Sequence, residues 1–340
     1  MQMEKKQTVL IVDDTPDSIE ILEGVLNESY HIKVAKSGEM ALKIAEKTSP
    51  DIILLDIVMP HMDGYEVCKR LKSNPITKGI PIIFVSAKGD AFNEARGLEI
   101  GAVDYITKPI SASIVLSRVK THLSLYSQSK ALEFQVAEKT KELTETRIEI
   151  IRRLGMAAEF RDNETGMHIY RVSEFCKTIA LHYGFPENEA ELLLNVSPMH
   201  DIGKLGVPDS ILQKPGKLTE EEFEVVKKHT VIGATIIGDH KSDLLRTAKM
   251  VALEHHERWD GKGYPRGLIG IETNIFARIT ALADVFDALT SKRPYKEAWK
   301  TEEALEYIRQ ESGKHFDPKV VEAFFKGIDR IYEIQDRYKE

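Results

Sequence analysis

The chain has 340 residues, 42% hydrophobic and 30% charged, with a formal net charge of −7; these are the proportions of soluble globular protein, and the length fits two domains. The acidic balance speaks against a general nucleic-acid or membrane-surface binder, which carries a basic face, and no run reaches the roughly 18 apolar residues of a membrane span. Cys68 and Cys176 lie in different halves and make neither a disulfide framework nor a cysteine zinc site, and the start "MQMEKKQTVLIVDD" reads as a buried strand rather than a leader, so the expectation is a reduced, cytoplasmic protein with no membrane insertion and no nucleic-acid partner.

Residues 1–123 alternate short apolar runs with helix-period stretches. The runs are "TVLIV" from Thr8, "HIKVA" from His31, "DIILLD" from Asp51, "PIIFVSA" from Pro81 and "DYITKP" from Asp104. Five strands interleaved with helices predict a five-stranded, doubly wound parallel sheet, and runs this rich in Ile, Val and Leu suit strands covered on both faces. Ligands of such sheets bind at the carboxyl ends of the strands. Asp13, Asp14, Asp56, Ser86 and Lys108 fall there. Three converging carboxylates repel one another unless a hard cation such as Mg²⁺ joins them, and a hydroxyl and an ammonium opposite suit a phosphoryl group.

With "VDD", "LLDIVMPHMDG", "VSA" and "DYITKP" in order, this third of the chain resembles the receiver domain of response regulators, a flavodoxin-like fold. The resemblance implies that Asp56 accepts phosphate from a cognate histidine kinase. It implies that Asp13 and Asp14, with Asp56, hold Mg²⁺, and that Lys108 pairs with the phosphoryl oxygens. Ser86 and Tyr105 would be the switch pair. A phosphoryl group adds about −1.5 to −2 charge, enough to reorder a loop.

Residues 124–150 follow as a connector. No Gly or Pro occurs from Ser111 to about Ile150, which predicts one continuous helix. Val136, Leu143 and Ile150 recur every seven residues beside Leu125 and Leu132, a coiled-coil seam that Lys139, Thr146 and Arg153 interrupt. The expectation is a homodimer that carries receiver state along this helix.

Residues 151–340 read as all-helical and rich in histidine. "DNETGMH" places Glu164 and His168 four apart on one helix face. "MHDIGK" gives His200, Asp201 and Lys204. Thr219 and Glu222 form a capping box ahead of His229. "EHHERWDGKGYP" sets His255 beside His256, although adjacent side chains on a helix diverge. Asp284 and Asp287 stand in the apolar helix "RITALADVFDALTS", where a buried carboxylate needs a partner. Imidazole and carboxylate without thiolate suit Fe, Mn, Zn or Ni more than Mg or Ca, with Fe or Mn the expectation. So many ligands suit two or three ions, the usual machinery of phosphoester hydrolysis. Asp287 reads as a structural hydrogen-bonder, Asp317-Pro318 as a helix start, and His31, His61, His122, His182, His240 and His315 as surface or turn residues.

These motifs, with "KPGKLTEEE", "KKHTVIGA", "SKRPYK" and "FDP", resemble the HD-GYP branch of the HD phosphohydrolases, a family that cleaves cyclic di-GMP. The resemblance implies His168, His200, Asp201, His229, His255, His256 and Asp284 as core metal ligands, with Asp201 bridging, and Glu164 as the ligand of a third ion. It implies Lys204 on a phosphate oxygen in catalysis, Arg293 and Lys296 on guanine or phosphate, and Tyr264 at the rim of the substrate pocket. The products are pGpG or GMP. Two other readings stand beside this one: an enzyme for another cyclic dinucleotide such as 3′,3′-cGAMP, and a phosphorylation-controlled module that docks partners such as GGDEF-type cyclases with little turnover.

Overall fold

The protein is described from a computed structural model covering residues 6–87, 97–161, 166–291 and 298–339. The chain forms two compact units, Met1–Thr140 and Lys141–Glu340.

The first unit is a five-stranded parallel sheet of β1 (Thr8–Val12), β2 (His31–Ala35), β3 (Ile52–Asp56), β4 (Ile82–Ala87) and β5 (Asp104–Lys108), in the order β2-β1-β3-β4-β5. Alternation along the strands splits the apolar residues between two faces. Leu10, Val12, Ile53, Leu55 and Phe84 pack with α2 (Gly38–Thr48) and α3 (Gly64–Ser73). Val9, Ile11, Ile52, Leu54, Ile83 and Val85 pack with α1 (Pro16–Leu26) and with Val115, Val119 and Leu123 from the start of α4 (Ala112–Phe160). The strands are therefore buried on both faces, as their unbroken Ile/Val/Leu runs require.

The helix α4 is a single element of 49 residues. It continues past Ile150, where the seven-residue pattern stops, and runs through Gly155. The seam residues Leu125, Leu132, Val136, Leu143 and Ile150 are exposed along it.

The second unit is helical. α5 (Gly166–Tyr183), α6 (Glu187–Val196), α10 (Asp243–Glu254), α11 (Ile275–Thr290), α12 (Thr301–Gln310) and α13 (Pro318–Lys326) enclose a core that includes Phe175, Phe286, Phe316 and Phe324. Shorter pieces line one side of it: two 3-10 turns (Ser197–Met199 and Ile202–Gly206), α7 (Asp209–Leu212), α8 (Glu220–Lys227) and α9 (His229–Ile237). α14 (Ile328–Arg337) closes the unit. Thr219 and Glu222 form the expected capping box of α8, and Asp317 caps α13 with Pro318 in its first turn. Gly203 lets the second 3-10 turn lie against the backbone of α9, since a Cβ there would stand 1.8 Å from the His229 carbonyl oxygen. That close approach brings Asp201 beside His229.

Candidate metal centre and receiver site

Asp201 lies between the two 3-10 turns, with His200 just before it, so this pair is not presented by a regular helix. His168 is on α5, Asp284 on α11, and His229 opens α9. His255 is the C-cap of α10, and His256 follows it. One donor atom from each of Asp201, His229, His255 and His256 lies within 4.8 Å of the others, and the same holds for Glu159, His168 and His200. Asp201 joins the two groups. Its Oδ1 is 3.1 Å from His229 Nε2 and 3.4 Å from His255 Nε2, and its Oδ2 is 3.4 Å from His200 Nε2. Asp284 Oδ1 stands 3.6 Å from His168 Nε2 and 3.9 Å from His200 Nε2.

The outer nitrogens fix what the inner ones can do. His200 Nδ1 is 2.8 Å from the Ser197 carbonyl oxygen, and His229 Nδ1 is 2.7 Å from that of Val226. His255 Nδ1 is 3.1 Å from the carbonyls of Val251 and Ala252. His168 Nδ1 is 2.8 Å from Asp287 Oδ2. Carbonyl and carboxylate oxygens accept only, so each of these nitrogens carries the hydrogen and donates it. In the neutral ring, Nε2 is then a bare lone pair, and four of them point into the groups. Lone pairs facing Asp201 and Asp284 repel those carboxylates unless a cation intervenes. Consistent with this, His200 Nε2 and Asp201 Oδ1 are buried with no hydrogen-bond partner among the described residues. The donor set therefore fits transition-metal ions.

The charges agree. Burial, reinforced by the neighbouring imidazoles, holds His256 well below the ordinary histidine range, and burial also lowers His255. Burial opposes protonation of His200 too, but the charge of Asp201 overcomes it and lifts the group to about 9. An ion bound there would displace that proton. Burial would raise Asp201, yet Lys204 and His200 hold it well below the usual carboxylate value. Lys204 Nζ is 2.8 Å from Asp201 Oδ2 and 3.4 Å from Glu159 Oε2.

Asp287 was expected to be a hydrogen-bonder and is one. Its Oδ1 accepts from Arg171 Nε at 2.6 Å, and its Oδ2 accepts from His168, from Arg171 Nη2 at 3.0 Å and from Ser291. The partner Arg171 was not foreseen. Nor were Glu254 and Glu257, which flank the histidine pair. Glu254 pairs with Arg266 and accepts the Asn274 N–H, while Glu257 accepts the N–H groups of Arg266 and Leu268. Together they fold the "GKGYPRGL" loop back over the site. In that loop the Tyr264 ring stacks on His256 with centroids 4.7 Å apart, and burial raises its hydroxyl pKa. Glu159 was also missed; its signal is a lone carboxylate in the apolar run "GMAAEF".

His315 lies in a turn, as expected, partly buried against Phe316 and held at about 4 by burial and by Arg258. The reading of His122 as a surface or turn residue needs correction, since it sits on α4. His122 is partly buried with Nε2 3.0 Å from Asp104 Oδ2. Glu164, Arg293 and Lys296 lie outside the described residues.

In the first unit, Asp13 follows β1, Asp56 ends β3 and Lys108 ends β5. Carboxylate oxygens of Asp13, Asp14 and Asp56 lie within 4.8 Å of one another, and Lys108 Nζ is 3.0 Å from both Asp13 and Asp56. Burial, then the charge of Asp13, raises the Asp56 pKa, partly offset by Lys108. Ser86 is buried on β4, and Tyr105 on β5 is registered with Phe84, two residues earlier.

Comparison with known proteins matches residues 9–120 to the response regulator receiver domain and residues 135–320 to the HD domain. A protein of Vibrio cholerae named probable cyclic di-GMP phosphodiesterase is 41% identical over 98% of this chain and 80% of its own length. The cyclic di-GMP phosphodiesterase response regulator RpfG of Xanthomonas campestris is 38% identical over 96% of this chain and 89% of its own. A 3′3′-cGAMP-specific phosphodiesterase 2 of Vibrio cholerae is 43% identical, over 63% of this chain and 41% of its own length.

Proposed function

The chain belongs to the response regulators that join a receiver domain to an HD domain, and from that premise we propose that it hydrolyses cyclic di-GMP to pGpG or GMP under the control of Asp56 phosphorylation. The observation that carries this is the set of four imidazoles with Nδ1–H tied outward and Nε2 turned onto Asp201 and Asp284. His168, His200, Asp201, His229, His255, His256 and Asp284 would hold two transition-metal ions, Fe or Mn in this reading, and Glu164 a third. Such ions supply Lewis acidity and a water that is deprotonated near neutral pH.

The chain's own groups do the rest. Asp201, reaching both groups through its two oxygens, fixes their spacing. Lys204 is nearly buried, so its ammonium acts strongly on charge developing at a non-bridging phosphate oxygen. Tyr264, stacked on His256, forms the rim over which the nucleotide enters, with Arg293 and Lys296 as further contacts to guanine or phosphate.

In the receiver, Mg²⁺ at Asp13, Asp14 and Asp56 would balance the carboxylates, a histidine kinase would supply the phosphate, and Ser86, Tyr105 and Lys108 would respond. The exposed seam of α4 supports a homodimer. We place the receiver at 1–123, the connector at 124–150 and the phosphodiesterase at 151–340. No helix among the described residues is long and apolar enough to cross a membrane, and action in the cytoplasm, with GGDEF-domain proteins as further partners, completes the reading.

The test is turnover by purified, metal-loaded protein with products resolved. Hydrolysis of cyclic di-GMP that Asp201→Ala abolishes is the expected result; no hydrolysis of it would overturn the proposal. The cGAMP-specific relative gives 3′,3′-cGAMP a place in the same assay, and faster turnover of that substrate would transfer the assignment to it.

A further inference from the structure

We infer that Glu159, in the last turn of α4, is itself a metal ligand that closes the group formed by His168 and His200; this rests on the site being a metal-dependent phosphodiesterase centre. Glu159 is 1% exposed, between fully buried Ala158 and exposed Phe160. A carboxylate is costly to bury without compensation. An oxygen of Glu159 and one ring nitrogen each of His168 and His200 all lie within 4.8 Å of one another. Both rings have Nδ1–H committed elsewhere, to Asp287 and to the Ser197 carbonyl, so in the neutral rings the nitrogens left for this group are lone pairs. His200 Nε2 is fully buried and without a hydrogen-bond partner among the described residues. Two lone pairs and a carboxylate make a set of N, N and O donors that suits a divalent transition metal.

Charge points the same way. Asp201, Asp284 and Glu159 bring three carboxylates to this side of the site, and Lys204 brings one ammonium, shared between Asp201 at 2.8 Å and Glu159 at 3.4 Å. One divalent cation offsets the remainder. The backbone holds Glu159 in register with its partners. A Cβ at Gly155 would stand 2.1 Å from the Pro198 carbonyl oxygen, so only glycine lets α4 lie this close to the turn that presents His200. Beyond Glu159, Arg161 donates to the carbonyls of Leu205 at 2.5 Å and Val207 at 3.2 Å, which follow Lys204 in the chain. The first turns of this helix, at Val115 and Val119, are core residues of the receiver.

The experiment uses the full chain, stripped with a chelator and titrated anaerobically with Mn²⁺, with bound ions counted and the chelated forms unfolded in urea. Wild type is compared with Glu159→Gln, Glu159→Asp and, as a control on the same helix, Glu149→Gln, which removes an exposed pair with Arg153. Ions held by the receiver are common to all and cancel in the differences. Glu159→Gln should bind about one ion fewer, or bind it roughly a hundredfold more weakly, while its chelated form is at least as stable as wild type. Glu149→Gln should match wild type. Should Glu159→Gln not fold, Glu159→Asp decides, because a shorter side chain withdraws the oxygen and weakens the ion. Wild-type stoichiometry and affinity in whichever variant folds would overturn the inference. Failure of wild type to hydrolyse any cyclic dinucleotide while Glu159→Gln still loses an ion would sink the proposed substrate and leave this ligand standing.

Discussion

Asp287→Asn separates orientation of a ligand from the ligand itself. The carboxylate is 1% exposed and receives the His168 Nδ1–H at 2.8 Å and Arg171 at 2.6 and 3.0 Å. Burial would raise its pKa, but His168 and Arg171 pull it below the ordinary carboxylate value, so it is ionised at neutral pH. An asparagine offers one acceptor where two are needed. If its NH₂ takes the Oδ2 place it faces the His168 N–H, and relief comes from moving the ring hydrogen to Nε2, where it blocks coordination. If the NH₂ takes the Oδ1 place it opposes the Arg171 N–H. Loss of such an orienting partner costs about 10–100-fold in metal affinity, or roughly 1.4–2.7 kcal/mol. The chelated protein should also lose about 3 kcal/mol, the low end for breaking a buried pair, because Arg171 keeps the Tyr338 carbonyl at 3.0 Å.

Mn²⁺ titration and urea unfolding of the chelated form read the two effects separately. Arg171→Met provides the contrast. It leaves the carboxylate free to accept from His168, so stability should fall while metal affinity moves much less. Asp287→Asn with affinity within about twofold of wild type would refute the reasoning, since the expected minimum is about tenfold.

Three further outcomes follow from particular contacts. Gly64→Ala puts a Cβ 2.3 Å from the Asp56 carbonyl oxygen; it should destabilise the receiver by about 1–3 kcal/mol and slow labelling of Asp56 by a small-molecule phosphodonor, and an unchanged labelling rate would count against it. His315, held at about 4 against an ordinary 6.5, stays neutral in the folded chain while the unfolded chain takes up its proton. Its contribution is complete above pH 6.5 and is lost as pH falls towards 4, by up to about 1.4 kcal/mol per unit, so His315→Gln should flatten the urea midpoint over that window in chelated protein. Mn²⁺ at about 100 times its dissociation constant should add about 2.7 kcal/mol to the stability of wild type, and a melting temperature indifferent to Mn²⁺ would contradict the ligand assignment.

The sheet was legible because burial on both faces forces an unbroken apolar run, and each strand begins within a residue of the run that announced it. The length of α4 was less so. Gly155 reads as a breaker in isolation, yet the helix continues because a bare backbone is what the contact with Pro198 requires. Periodicity gave the inward face of α11 and so both Asp284 and Asp287, but not that Arg171 would meet one of them from a helix more than a hundred residues earlier. Glu159 is not legible in the sequence, because a single glutamate in an apolar stretch does not name its partner. His122 reads as a surface group because nothing local marks Asp104, on the preceding strand, as its neighbour.

The adjacent histidines show why helix faces are a poor guide to this site. His229 follows the end of α8, while His200 and His255 cap their segments, and each gives its Nδ1–H to a carbonyl three or four residues earlier. The last carbonyls of a helix lack partners within it. An imidazole at a helix end gives its outer N–H to a carbonyl of the closing turn, which at Ser197 and Val251 accepts a backbone N–H as well, and is left with its inner nitrogen bare and aimed. Helix termination thus orients the ligand, with no need for a regular spacing along one face. His256 leaves the helix altogether, and its divergence from His255 ceases to matter: the rings tilt by 43° with centroids 4.1 Å apart, and both reach the group around Asp201. Glu254 and Glu257 on either side then bind the loop that follows, so that one short stretch ends a helix, supplies two ligands and folds Tyr264 over them.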